Sequence, residues 1–331
     1  MTSRIRILVS APYLLPEIGR FRGHLEASGL ELTVAPVVER LSEDELLAFA
    51  GEIDGTICGD DQFTAKVLER FAPRLKVISK WGTGIDSIDL SAAEALGIQV
   101  FNTPDAFTDA VADSVMAYVL CFARDLPWMD AAVKRGEWEK RIAYSLREQT
   151  LGVIGVGRIG KAVLARAHAF GMRLFGNDLV EVDSEFVSSS KVDMVSLEEL
   201  LKSSDYVSVN CDLNPTSRAL INEERLNQMK VGCILINTAR GPIVEERALI
   251  EALESGRLSG AALDVFEEEP LPLESPLRGM ENVLLAPHNA NSSPRAWERV
   301  HWNSLANLFK GLSLNVPQEV SAGLADLSRG T

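Results

Sequence analysis

At 331 residues the chain is long for a single core and comfortable for two domains. Its 46% hydrophobic and 24% charged residues are those of an ordinary globular protein. The balance of 33 basic against 47 acidic residues, a net charge of -14, argues against nucleic acid or an anionic membrane as partner. Both need a basic face, whereas a small anion needs only a locally positive cleft.

No apolar run reaches the roughly 18–20 residues that span a bilayer. The N-terminus lacks a long hydrophobic segment with a small-residue cleavage site, so no signal peptide is expected. Cys58, Cys121, Cys211 and Cys233 are scattered, with no C-x-x-C pair. They read as small buried apolar residues of a reducing cytoplasm, with neither disulfides nor a metal site expected.

In chain order, the first strand is predicted at RIRILVS (4–10), followed by LELTVAP (30–36), DGTICG (54–59), LKVISK (75–80) and IQVFN (98–102). A mainly helical stretch occupies 105–140. Six more strands follow: LGVIGV (151–156), MRLFGND (172–178), YVSVN (206–210), GCILINT (232–238), GAALDV (260–265) and NVLLAP (282–287). Segments with helical spacing and end signals lie between them, as in SEDELLAFAG (42–51), SLEELLKSSD (196–205), NEERLNQMKVG (222–232) and EERALIEALESGR (245–257). Continuous apolar strands alternating with helices predict parallel, doubly wound sheets covered on both faces. Eleven such strands exceed one simple sheet, which predicts two α/β lobes. A last helix, PRAWERVHWNSLANLFKGL (294–312), could cap the second lobe or return to the first; periodicity does not decide.

The most informative local motif is LGVIGVGRIGKAVLARAHAFG (151–171), where Gly155, Gly157 and Gly160 make G-x-G-x-x-G between an apolar strand and a helix. The first glycine allows the tight turn, the second a close approach of the backbone to a pyrophosphate, and the third close packing of helix on strand. The next strand ends in Asp178, where a carboxylate binds ribose hydroxyls and repels the extra phosphate of NADP; no arginine follows to receive that phosphate. The expected cofactor is NAD.

Three further elements follow, each at the C-terminal end of a predicted strand, the edge where open parallel sheets bind ligands. They carry Arg240, then Asp264 with residues 267–269, then His288. Singly, each also fits a surface residue, and Glu267 and Glu268 read as a solvated loop. Together they make a complete chemical set. An arginine clamps a carboxylate with two parallel hydrogen bonds. A histidine protonates the oxygen that becomes an alkoxide as hydride arrives. A carboxylate bonded to that histidine holds the ring and favours its charged form.

These motifs, together with KWGTGIDSIDLSAAEALGIQVFNTPDAFTDAVAD (80–113), NTARGPIV (237–244), ALDVFEEEP (262–270) and APHNANSS (286–293), resemble the D-isomer-specific 2-hydroxyacid dehydrogenases, and most closely the phosphoglycerate-dehydrogenase-like ones. The resemblance covers most of residues 75–295. It implies an NAD-dependent enzyme interconverting a small anionic 2-keto acid and a D-2-hydroxy acid. It implies a flavodoxin-like substrate domain (1–103 with 293–331) and a Rossmann NAD-binding domain (104–292), dimeric through the latter. By position, Arg240 would bind substrate, Glu269 would partner the histidine, and His288 would be the proton donor. Asp264 would hold the nicotinamide amide, Arg158 and Ile159 the pyrophosphate, and Asp178 the ribose. Thr83, Cys211, Thr238 and Ala239 would make further cofactor contacts. Lys80, Trp81, Gly82, Thr83 and Gly84 would form the loop that meets the substrate carboxylate, with Lys80 a candidate for a second anionic group or, equally, a lysine turned to solvent.

The sequence departs from the family pattern in places. The turn after His288 is PHNANSS, with Asn289, Asn291 and Ser293 unusual, which suggests altered specificity. Asp212 replaces a proline, and Asp113 stands where glutamate is usual. The short stretch after the last predicted helix leaves no added regulatory domain expected. Two other functions fit the same motifs: an NAD(H)-sensing, corepressor-like interaction protein, and a formate- or phosphite-type dehydrogenase.

Overall fold

The computed structural model describes residues 4–328. They form two compact units, one comprising residues up to Phe107 and from Ser293 onward, the other Thr108–Ser292.

The first unit begins β1 (Ile5–Val9), α1 (Ile18–Ala27), β2 (Leu30–Val34), α2 (Glu43–Leu47) and β3 (Gly55–Cys58). It continues with α3 (Ala65–Phe71), β4 (Val77–Lys80), α4 (Leu90–Ala95) and β5 (Gln99–Phe101). All strand pairs are parallel, in the order β2-β1-β3-β4-β5, the flavodoxin-like arrangement. Every residue of β3 and β4 is buried, as continuous apolar strands between helices require. The helix-start signals act as read. Ser42 and Glu45 form a reciprocal capping box on α2, and Thr64 caps α3.

The helix predicted at 294–312 is α12 (Pro294–Gly311). It packs on β3, β4 and β5 of this first sheet through a stripe of Val300, His301, Ser304, Leu305 and Leu308. Gly311 permits the contact, since a Cβ there would come within 2.2 Å of Val77. It is not the last helix. A further one, α13 (Gln318–Ser328), packs back on α12, with Gly323 seated against the Trp302 ring.

The buried groups of this unit include one titratable ring. His301 is 3% exposed, and its Nδ1 accepts a 2.9 Å hydrogen bond from Trp81 Nε1. Burial holds its pKa down to about 4, from 6.5. The unfolded chain therefore binds a proton that the folded one refuses between these values. The stabilisation is fully present above about pH 6.5 and is lost as pH falls toward 4, in total about 3 kcal/mol at ~1.4 kcal/mol per unit. Asp61 opposes it, because burial raises its carboxyl to about 6 and acidification then favours the folded form. Comparing urea midpoints of the wild type and His301→Gln at pH 7.5 and 5 isolates the histidine. The variant is expected to lose less stability on acidification, and equal losses would refute the assignment.

The second unit opens with α5 (Thr108–Arg124) and α6 (Leu126–Lys134), broken at Asp125 in the left-handed region. The helical stretch expected to reach 140 stops at Lys134, where Gly136 at φ +89° ends it. Then come β6 (Thr150–Ile154), α7 (Arg158–Ala169), β7 (Arg173–Asn177), α8 (Ser184–Ser190), β8 (Asp193–Met194), α9 (Leu197–Ser203) and β9 (Tyr206–Val209). The unit ends with α10 (Glu223–Gln228), β10 (Cys233–Asn237), α11 (Glu246–Glu254), β11 (Leu258–Leu263) and β12 (Val283–Leu285). The sheet order is β12-β11-β10-β9-β6-β7-β8, all parallel. This is the doubly wound Rossmann order with an added edge strand. The edge strand β8 escaped the sequence reading because it is two exposed residues, Asp193 and Met194, without an apolar run. The shortened carboxylate at Asp113 pairs with Arg166 Nε at 2.6 Å and so ties α5 to α7.

Candidate active site

The order of the second sheet reverses between β6 and β9, and the glycine loop lies at that switch point. Gly155 has φ +89°, and a Cβ on it would sit 2.6 Å from the Cys211 amide that follows β9. A Cβ on Gly160 would lie 2.0 Å from the Gly155 carbonyl. Gly157 is different: a Cβ there meets nothing, and the residue N-caps α7 with no side-chain cap. The helix N-terminus is therefore bare and faces open space, which suits a pyrophosphate. Asp178 accepts hydrogen bonds from the Val156 amide (2.7 Å) and the Val180 amide (3.0 Å). The carboxylate is thus fixed beside the loop. Arg158 is exposed at the first position of α7, with Ile159 half-buried behind it.

Two buried polar atoms on the same edge lack a hydrogen-bond partner among the described residues: Thr238 Oγ1 after β10 and Asn210 Nδ2 after β9. A buried polar group without a partner costs stability, so these atoms mark places for a polar ligand. Thr238 was predicted. Asn210 was not, although its place at the end of a buried strand was the available signal. The site therefore fits NAD. Cys211 is half-buried, its thiol pKa raised to about 11 by burial, so it offers an uncharged wall. Asp212 is exposed beside it.

Arg240 is set by a residue the sequence reading did not single out. Asn237, 1% exposed, accepts from the Ala239 amide (3.1 Å) and donates to the Arg240 carbonyl (2.9 Å). Arg240 Nη1 in turn donates to the Ala239 carbonyl at 2.8 Å. The half-buried guanidinium is thereby held at the C-terminal end of β10.

His288 follows β12 in the left-handed region, φ +51°. Its Nδ1 lies 3.0 Å from Glu269 Oε2, and the two side chains are 17% and 15% exposed. The other carboxylate oxygen of Glu269 accepts from the Phe266 amide at 2.9 Å. With Nδ1 donating to the carboxylate, the pair fixes the orientation of the ring. Glu267 and Glu268 are exposed, as a solvated loop should be, and Glu267 also accepts from the Glu246 amide at the start of α11. Among the unusual residues after His288, Ser293 caps α12 with its hydroxyl, while Asn289 is exposed.

In the first unit, the loop Lys80–Gly84 has its carbonyls committed. Trp81 O accepts from Lys80 Nζ (3.1 Å), Gly82 O from the Thr103 amide (2.8 Å), and Thr83 O from Asn102 Nδ2 (2.6 Å). The amides of Gly82, Thr83 and Gly84 donate to no acceptor among the described residues. Lys80 is not turned to solvent. Its side chain is 4% exposed and pairs with Asp60 at 3.2 Å.

A switch-point glycine loop, a carboxylate fixed beside it and an arginine near a carboxylate–histidine pair define a dinucleotide-dependent α/β oxidoreductase scaffold. The sequence profile of the family "D-isomer specific 2-hydroxyacid dehydrogenase, NAD binding domain" matches residues 116–290. The chain is 40% identical over 246 residues to a glyoxylate reductase of Korarchaeum cryptofilum, covering 72% of this chain and 74% of that one. It is 38% identical over 301 residues to a D-3-phosphoglycerate dehydrogenase of Methanocaldococcus jannaschii, covering 88% of this chain. That match spans about half of the archaeal protein (54%). Among solved structures, D-lactate dehydrogenase from Aquifex aeolicus, complexed with NAD and lactic acid, is similar with a TM-score of 0.82 at 29% identity, covering 98% of each chain. An NAD-dependent formate dehydrogenase from Staphylococcus aureus gives 0.83 at 26% identity, covering 95% and 98%. The chain belongs to the D-isomer-specific 2-hydroxyacid dehydrogenase family, and residues 116–290 lie in its NAD-binding domain.

Proposed function

We propose that this protein interconverts a 2-keto acid and a D-2-hydroxy acid, with NAD(H) as cofactor. The observation that carries the reading is the His288–Glu269 pair, 3.0 Å apart at the C-terminal edge of the NAD-binding sheet. Bound NADH supplies the hydride. Arg240 clamps the substrate carboxylate and leans on the adjacent carbonyl. As the carbonyl oxygen gains charge, His288 gives it the proton held on Nε2; Glu269 keeps the ring oriented and stabilises its charged form. In the reverse direction the same nitrogen takes the proton from the hydroxyl. Gly82, Thr83 and Gly84 offer amides to the substrate carboxylate, which is what their tied carbonyls and uncommitted N–H groups support. Thr83, Cys211, Thr238, Ala239, Arg158, Ile159 and Asp178 belong to cofactor binding. Lys80 and Trp81 shape the substrate loop, and a second anionic group on the substrate would have to compete with Asp60 for Lys80.

The test is NADH oxidation with glyoxylate, hydroxypyruvate, phosphohydroxypyruvate and branched 2-keto acids. Turnover with at least one is expected. Binding of NADH without turnover across the panel would overturn the reading, and reduction of NAD by formate would replace it with the formate-type reaction.

We also propose a homodimer through the NAD-binding unit. Trp138 and Ile142, after α6, are 85% and 89% exposed, and Val133 and Tyr144 in the same stretch of chain are exposed as well. Large apolar groups left exposed along one short segment suit a second copy. Sedimentation should show a dimer that becomes monomeric when Trp138 and Ile142 are both replaced by aspartate. A monomeric wild type would end the proposal. A cytoplasmic location, suggested by four free thiols of which Cys58 and Cys233 are buried, is open to test by cell fractionation.

A further inference from the structure

We propose that Asp60 sets the substrate class, restricting the site to 2-keto acids whose side chain carries no second anionic group. This rests on the function proposed above, in which the amides of Gly82, Thr83 and Gly84 meet the substrate carboxylate. A lysine beside such a loop ordinarily invites a further anion, a phosphate above all. Lys80 stands in that place. Its Nζ lies 3.6 Å from where a Cβ on Gly82 would be. Its side chain is 4% exposed, so the ammonium has left water and needs partners. Nζ donates to the Trp81 carbonyl at 3.1 Å and lies 3.2 Å from Asp60 Oδ1.

The counter-charge comes from the neighbouring strand. β3 pairs with β4 in a register that sets Cys58 beside Lys80, and β3 runs on into Gly59, Asp60 and Asp61. The ammonium and the two carboxylates therefore leave adjacent strands at one level of the sheet edge. Asp61 is fully buried and accepts from the Ser10 hydroxyl and, at 2.7 Å, from the Leu41 amide. Burial raises its carboxyl to about 6, and Lys80 opposes the rise. The Asp60 side chain keeps 24% exposure, and an oxygen of Glu39 lies within 4.8 Å of one of its own. One ammonium is thus matched by Asp60 and Asp61, and Glu39 adds a third carboxylate next to Asp60. A phosphate reaching for Lys80 would come up against Asp60, and like charges repel strongly where water screens poorly. A hydrogen, hydroxyl or alkyl substituent meets no such penalty. Repulsion built in against one class of ligand selects the other without any new contact to it.

The experiment compares hydroxypyruvate with phosphohydroxypyruvate, which differ by the phosphoryl group alone. Each is scored by kcat/KM with NADH, or by its inhibition constant against whichever keto acid turns over. In the wild type the phosphorylated compound should be poorer by about tenfold or more, the least that one poorly screened like-charge contact costs. Asp60→Asn keeps an oxygen for Lys80 and removes the charge. The ratio of phosphorylated to unphosphorylated compound should rise about tenfold, whereas a merely distorted loop would move both compounds together. A second measurement needs no variant. Raising the salt from about 0.05 to 0.5 M should raise the wild-type ratio, because screening weakens repulsion. A wild type that prefers phosphohydroxypyruvate, a ratio that falls with salt, or a rise of less than about threefold in Asp60→Asn would each overturn the proposal. If no 2-keto acid is reduced at all, the proposed function fails instead, so the two failures are distinguishable.

Discussion

Replacing His288 by asparagine is expected to lower kcat by about 10²- to 10⁴-fold, the usual contribution of a positioned general acid. The NADH dissociation constant should remain within about twofold, because the cofactor contacts argued above lie on the glycine loop, Asp178 and the ends of β9 and β10, not on the ring. Asparagine suits the test for a local reason. His288 sits at φ +51°, a conformation asparagine tolerates better than other non-glycine residues. Its amide can still donate to Glu269 Oε2, but it has no second nitrogen to hold a transferable proton. A collapse of kcat then reports lost proton transfer and not a collapsed loop. Glu269→Gln should cost less, since Phe266 N–H still finds an acceptor and the ring keeps a neighbour. If His288→Asn retains more than about a third of wild-type kcat with the best keto acid, another group supplies the proton.

The parts of this molecule that were legible in the sequence are those written in side-chain pattern. Strands such as TIC and VISK stand out because both faces are buried, and helices starting at Ser42, Ser196 and Asn222 because a hydroxyl or amide must satisfy orphan amides. The glycine loop is legible for the same kind of reason, since each glycine answers a specific steric demand. What escaped was decided by backbone partners. The Asp264 oxygens also accept from main-chain amides 25 and 26 residues away, a pairing without a side-chain signature. Asn237, which sets Arg240 with both ends of its amide, looks like the polar end of a strand. Lys80 ends β4 at the mouth of a loop, where a lysine reads as turned to solvent, but Asp60 after β3 supplies the partner that keeps it buried. The edge strand β8 has too few apolar residues to register at all.

Arg240→Lys is the second large expectation. It keeps the charge and removes the geometry. A guanidinium offers five N–H donors in a planar fork, enough to hold a carboxylate through two parallel bonds and still donate to the Ala239 carbonyl, as Nη1 does at 2.8 Å. An ammonium is a point charge on a flexible stem and cannot make both contacts in one conformation. Two hydrogen bonds to charged groups are worth about 1.5–3 kcal/mol each. Losing their equivalent lowers kcat/KM by about 10²- to 10⁴-fold at ~1.4 kcal/mol per decade. The loss should divide between KM, through the carboxylate, and kcat, through the carbonyl that gains charge in the transition state. Added guanidinium ion should restore part of the activity of Arg240→Ala and none of that of His288→Asn, because only the first substitution leaves a cavity of matching shape and charge. A loss of less than about threefold in Arg240→Lys would mean that the substrate carboxylate is held elsewhere, with the amides of Gly82, Thr83 and Gly84 the first place to look.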